Sequence, residues 1–223
     1  MNRKYILVYE TLIREVPEIE ITEEKYYSYK SADNVLSNCM AIEERYEILL
    51  RSYLDFENEI RLDVNIRLIN LLTASKIYKD HLGHYIKECA PDNTNVLEDL
   101  HSLYSSEYDK SRDYRIIDSL RNHVQHRGIP IHLLTLHRSW TSIGEHGRME
   151  HALQLSSLRS YFENDMKFKK SVLKDLDEKI DLVAAVRGYM ESISNIHTSV
   201  RDIINSSVNS ARALLDDAHK QYS

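Results

Sequence analysis

Glycine and proline are scarce in this chain, five and three in 223 residues. Few positions therefore interrupt a helical ladder, and helices are favoured. Cysteine is scarce too. Cys39 and Cys89 stand singly, which fits neither a disulfide framework nor a cysteine metal knuckle. No run approaches the roughly 20 apolar residues that span a bilayer. No stretch near Met1 joins a basic start, an apolar core and a small-residue cleavage site. The expectation is a soluble, cytosolic protein with reduced thiols and no membrane partner. A glycine-rich phosphate loop, a nucleophile elbow and a Cys–His pair are also missing. An overall basic excess is missing as well: the net charge is −6, which argues against general nucleic-acid binding.

The charge is unevenly spread. Between Ser111 and Arg148, Arg112, Arg115, Arg121, Arg127, Arg138 and Arg148 face only Asp113, Asp118 and Glu145. A local basic strip on an acidic body can steer a phosphate ligand.

Apolar periodicity predicts a mainly α, single-domain fold across residues 1–223. Tyr5, Val8, Leu12 and Val16 have helical spacing, while residues 18–22 alternate like a short strand. Val35 to Tyr53 and Ile60 to Tyr85 make two long stripes, read as an antiparallel helix pair. Leu97 to Tyr108 is a third helix, and Ser111 to His126 a fourth, stopped by Gly128 and Pro130. Residues 131–156 read as a β-hairpin around a loop holding Gly144 and Gly147, and 158–178 as short helical pieces. A last stripe, about 181–220, predicts a helix of roughly 55–60 Å.

The stretch SLRNHVQHRGIP, residues 119–130, concentrates polarity at the end of the fourth helix. Asn122 and His126 are four apart and share a face. Arg121 lies about 140° from His126, so the residues enclose a groove only at a helix rim or against a second copy. The residue types suit RNA cleavage, in which the ribose 2′-OH is the internal nucleophile. Histidine moves protons near neutrality. Arginine stabilises charge on the pentacoordinate phosphorus, and no metal or other cofactor is required. Two further Arg-to-His spacings occur, Arg127 to His132 and Arg212 to His219. The first crosses Gly128 and Pro130, and the second has Ala213 after its arginine.

Arginine, a polar residue, then histidine after a short spacer resembles the signature of HEPN domains, here Arg121-Asn122-His123-Val124-Gln125-His126. The stretch from Asn70 to His81 also looks like the second helix of such bundles. The resemblance covers about residues 32–128. It implies an up-and-down helical bundle with the hairpin and the long C-terminal helix added. It also implies a metal-independent endoribonuclease acting as a homodimer on an RNA substrate, with an antitoxin or defence-system partner in bacterial defence or growth arrest. His126 would be the general base or acid, Arg121 the phosphorane stabiliser and Asn122 the orienting residue. The alternative it leaves is an inactive HEPN-like module that binds RNA, nucleotide or a partner protein. HEPN toxins paired with nucleotidyltransferases carry a tyrosine two residues after the histidine, where this chain has Gly128.

His123, Arg115 and Arg127 are candidates for holding RNA beside the site, although Arg115 is also spaced to pair with Asp118. His123 and its successors His132, His137, His146 and His151 are read singly as solvated or hairpin-face residues, without the register of a helical zinc site. Trp140 is expected to pack the hairpin onto the bundle rather than stack on a base.

Overall fold

The computed structural model of the chain describes residues 5–7, 18–58, 63–140 and 149–221. Its elements, in order, are β1 (Tyr5–Leu7), β2 (Ile19–Ile21), α1 (Glu23–Asn58), α2 (Val64–Cys89), α3 (Val96–Lys110), α4 (Arg112–His126), β3 (Leu133–Trp140), β4 (Met149–Leu158), α5 (Lys170–Lys174), β5 (Lys179–Asp181) and α6 (Leu182–Lys220). The fold is mainly α, with a hairpin and a long C-terminal helix, as the pattern predicts. The Gly144–Gly147 loop lies outside the described residues, and so does the whole stretch from Val8 to Val16. Tyr5 is not helical, however. It pairs with Ile21 in a short antiparallel ribbon of β1 and β2.

The chain forms two compact units, and α1, α2, α3 and α6 contribute to both. In the first unit (1–44, 80–100 and 198–223) the core holds Tyr29, Val35, Ile42, Leu82, Ile86, Val96, Leu100, Val200, Ile204 and Val208. With Ala32, these positions lie three, four or seven residues apart along their helices, the spacing that gives each helix one apolar face. The buried Cys89 thiol donates weakly to the Val35 carbonyl at 3.6 Å.

The second unit (45–79 and 101–197) holds α4, the hairpin and the candidate site residues. Its core includes Leu49, Phe56, Leu68, Leu71, Tyr78, Tyr114, Ile117, Leu120, Leu155, Phe162, Phe168, Val186, Tyr189 and Ile193. Strand β4 is central in the sheet, pairing antiparallel with β3 (Leu133↔Ser156) and with β5 (Ser157↔Ile180). Strand β5 escapes the sequence pattern because three residues carry no period. The Asp181 carboxylate at its end accepts from the Val183 and Ala184 amides and caps α6. Deeper in this unit the Tyr189 hydroxyl donates to Ser75 Oγ at 2.9 Å, so its polar tip is paired although the ring is buried.

Candidate functional site

Helix α4 begins at Ser111, whose hydroxyl accepts from the Tyr114 amide. Tyr114, Ile117, Leu120 and the neighbouring Ile116 face the core. Burial of that stripe fixes the rotation of the helix, so Arg121, Asn122 and His126 fall at or beyond the edge of the core while Ser119 and His123 are buried.

Arg121 is largely enclosed, its side chain only 15% exposed. Its Nη2 donates to Asn122 Oδ1 at 2.9 Å and lies 3.8 Å from Asp118 Oδ1. Its Nε is buried without a hydrogen-bond partner among the described residues. Asn122 therefore grips the arginine next to it. His126, in the last turn, is exposed. Among the described residues no hydrogen bond or ion pair joins it to Arg121 or Asn122.

His123 departs from the solvated reading. It is 6% exposed, and its Nδ1 shares a 2.6 Å hydrogen bond with Asp165 Oδ2. Its ring meets Phe162 edge-on at 4.9 Å. Asp165 also accepts from the Lys167 amide at 2.8 Å, and Arg127 Nε lies 3.7 Å away. Burial pushes the Asp165 carboxyl up, but the Lys167 amide, His123 and Arg127 outweigh it and hold it below the usual carboxylate value. His132 packs on the other side of this group, stacked on Tyr161 at 3.9 Å and accepting the Leu158 amide through Nδ1. Burial, and then nearby His123, push its imidazole below the ordinary value.

Arg115 turns away from Asp118. Its Nη1 donates to the carbonyls of Tyr108 and Asp109 at 2.8 and 2.9 Å, capping the end of α3. Asp118 instead takes Lys79 on one oxygen and Lys169 on the other, each at 3.1 Å. Burial pushes this carboxyl up as well, and the two lysines outweigh it and hold it below its usual value. Lys79 lies over the rings of Tyr114 and Tyr104, and Lys169 over that of Tyr108, at 4.7, 5.5 and 4.3 Å. These side chains border an open polar cavity of about 350 Å³.

The structure thus brings Arg121 and Asn122 together with Asp118, and His123 and Arg127 together with Asp165. It leaves His126 apart at the helix end and Arg115 in a structural cap. Lys79, Lys169 and Asp165 had no motif to announce them. Trp140 does not seat the hairpin, being 64% exposed. His146 lies outside the described residues, and among those described no group of three His, Cys, Asp or Glu side chains could hold a metal ion. No helix among them is long and apolar enough to cross a membrane. No protein-family model, curated protein or solved structure matches the chain.

Proposed function

We propose that this chain is a HEPN-type, metal-independent endoribonuclease, completed by a second copy of itself. The observation that carries the reading is the arrangement on α4. An arginine whose guanidinium is held by Asn122 and Asp118 lies less than two turns from a histidine exposed at the helix end.

In the proposed reaction His126 takes the proton of a ribose 2′-OH, whose oxygen attacks the adjacent phosphorus. Arg121 stabilises the extra negative charge of the phosphorane through a fork that is always protonated. The bond to the 5′ oxygen breaks, and that oxygen leaves with a proton from an imidazolium. The products are a 2′,3′-cyclic phosphate and a 5′-hydroxyl. Asn122 acts on Arg121 here, fixing the guanidinium rather than the imidazole. Since His126 does not touch Arg121 within one chain, the reading places each histidine opposite the other copy's arginine. The setting in bacterial defence or a toxin system, and an antitoxin or defence partner, are proposed with the family.

A second reading, an inactive HEPN-like module binding RNA, nucleotide or a partner protein, is favoured by one observation. Arg121 already has a carboxylate and an amide oxygen beside it. One assay separates the two. Purified protein is incubated with total RNA and EDTA, beside Arg121→Ala and His126→Ala. The expected result is cleavage leaving 2′,3′-cyclic ends, reduced about a hundredfold or more in both variants. Equal activity in the variants overturns this site. RNA binding without cleavage by the wild type selects the second reading.

A further inference from the structure

In an in-line displacement the attacking and leaving oxygens lie on opposite sides of phosphorus. One imidazole cannot serve both, so the proposed cleavage needs a second proton-transfer group beside His126. The buried pair His123–Asp165 has the geometry for it. Asp165 Oδ2 shares a 2.6 Å hydrogen bond with His123 Nδ1. Phe162, itself fully buried, meets the imidazole edge-on at 4.9 Å. The Lys167 amide holds the other oxygen of the carboxylate at 2.8 Å. The ring is thus clamped from two sides, and the carboxylate fixes Nδ1 as the nitrogen that keeps its proton. Any proton that His123 gives or takes passes through Nε2.

Nε2 is the open side of the ring. Among the described residues it has no hydrogen-bond partner. It faces Gly128, an exposed residue just past the end of α4. A Cβ built on Gly128 would lie 3.6 Å from Nε2. Leaving out Gly128 and its chain neighbours, no other heavy atom of the described residues comes within 4 Å of that point. The glycine therefore leaves free space at contact distance from the nitrogen, where an incoming oxygen can reach it although the rest of the ring is covered. A histidine that only tied Asp165 to α4 would need no such opening.

His123 and His126 are three apart, neighbours on the surface of α4, and Gly128 is two residues beyond His126. We infer that His123 is the general acid of the cleavage and that Asp165 positions it, an inference that rests on the ribonuclease reading above. His126 takes the 2′ proton, and the 2′ oxygen bonds to phosphorus. As the bond to the 5′ oxygen breaks, its electron pair takes the Nε2 proton of the His123 imidazolium. The ring is left neutral, still donating through Nδ1 to Asp165, and regains a proton from water.

An RNA with sulfur in place of the bridging 5′ oxygen separates this role from a structural one, because a thiolate leaves without needing a proton. Single-turnover cleavage is measured on a short RNA with either bridging atom. His123→Asn keeps a side-chain N–H where Nδ1 meets Asp165 and removes Nε2. It should lose about a hundredfold or more on the oxygen substrate and stay close to wild type on the sulfur substrate. His126→Ala should lose activity on both. Gly128→Ala puts a methyl group at ordinary contact distance from Nε2, so the variant should fold. It should slow the oxygen substrate selectively, and it decides the matter if His123→Asn does not fold. Losses that are equal on the two substrates, or no loss on either, overturn the assignment of His123. Wild-type cleavage that is lost in His126→Ala leaves the ribonuclease reading standing in that case. Cleavage of neither substrate by the wild type overturns that reading and this role with it.

Discussion

Asp165 is 3% exposed at its side chain and collects the Lys167 amide, His123 and Arg127 around one carboxylate. Replacing it with alanine leaves those donors without their acceptor, and a buried unpaired donor costs about 1–3 kcal/mol. Asp165→Ala should therefore lose about that much stability in chemical denaturation, with His126 untouched. The pH dependence has a definite sign. Asp165 and Asp118 are both held below their unfolded values in the native state. The stability each contributes is present above the unfolded carboxylate value of about 3.9 and is lost as pH falls through the lower folded value. Denaturation midpoints measured from pH 6 downward should fall in that acid range, and Asp118→Asn or Asp165→Asn should flatten the fall. None of this was legible beforehand. Arg121 and Asn122 are sequence neighbours, and adjacent helical residues do not normally face each other, so their hydrogen bond depends on side-chain rotamers that no spacing records. Asp165 and Lys169 lie in a stretch without period, where nothing points to a partner on α4.

Helix α6 shows what an element makes predictable and what it hides. Its apolar stripe was readable because buried positions from Leu182 to Ala218 recur with the helical period. The same holds for α1 to α4, where long runs without glycine or proline let the period stand out. The role of Gly188 was not readable. A Cβ built there would lie 2.8 Å from Asp113 Cβ and 2.1 Å from its Oδ2. Glycine to alanine inside a helix ordinarily gains about 0.5–1 kcal/mol. Here the β-carbon of Asp113 cannot swing aside, and Gly188→Ala should instead cost about 1–3 kcal/mol, as overpacking does. A thermal melt gives the sign. The hairpin differs again. Its strands were visible as β-leaning runs, yet Leu134, Leu136 and Trp140, on one face of β3, are each about half exposed or more. A tryptophan between alternating residues promises burial only when something covers that face.

At the scale of the whole molecule, the basic strip is largely engaged locally. Arg112 pairs with Asp177, Arg127 lies near Asp165, Arg121 sits beside Asp118, and Arg115 caps α3. With the whole chain at a net charge of −6, few positive groups remain to displace counterions. RNA association should therefore weaken only modestly with salt, with a log–log slope of about −1 to −2; a much steeper slope would point to a surface other than the end of α4. The proposed cleft needs two copies, so light scattering of the active species should give twice the chain mass of 26.2 kDa. The junction between α3 and α4 has a further consequence. Ser111 is the whole linker, and its amide bonds to Glu107 O, its hydroxyl takes the Tyr114 amide and its carbonyl takes the Arg115 amide. The extended backbone of Ser111 breaks the ladder, but Arg115 takes the last carbonyls of α3 and the Ser111 hydroxyl caps the first turn of α4, so neither end is left frayed there. In deuterium labelling, amides on both sides of Ser111 should exchange together, as one opening unit.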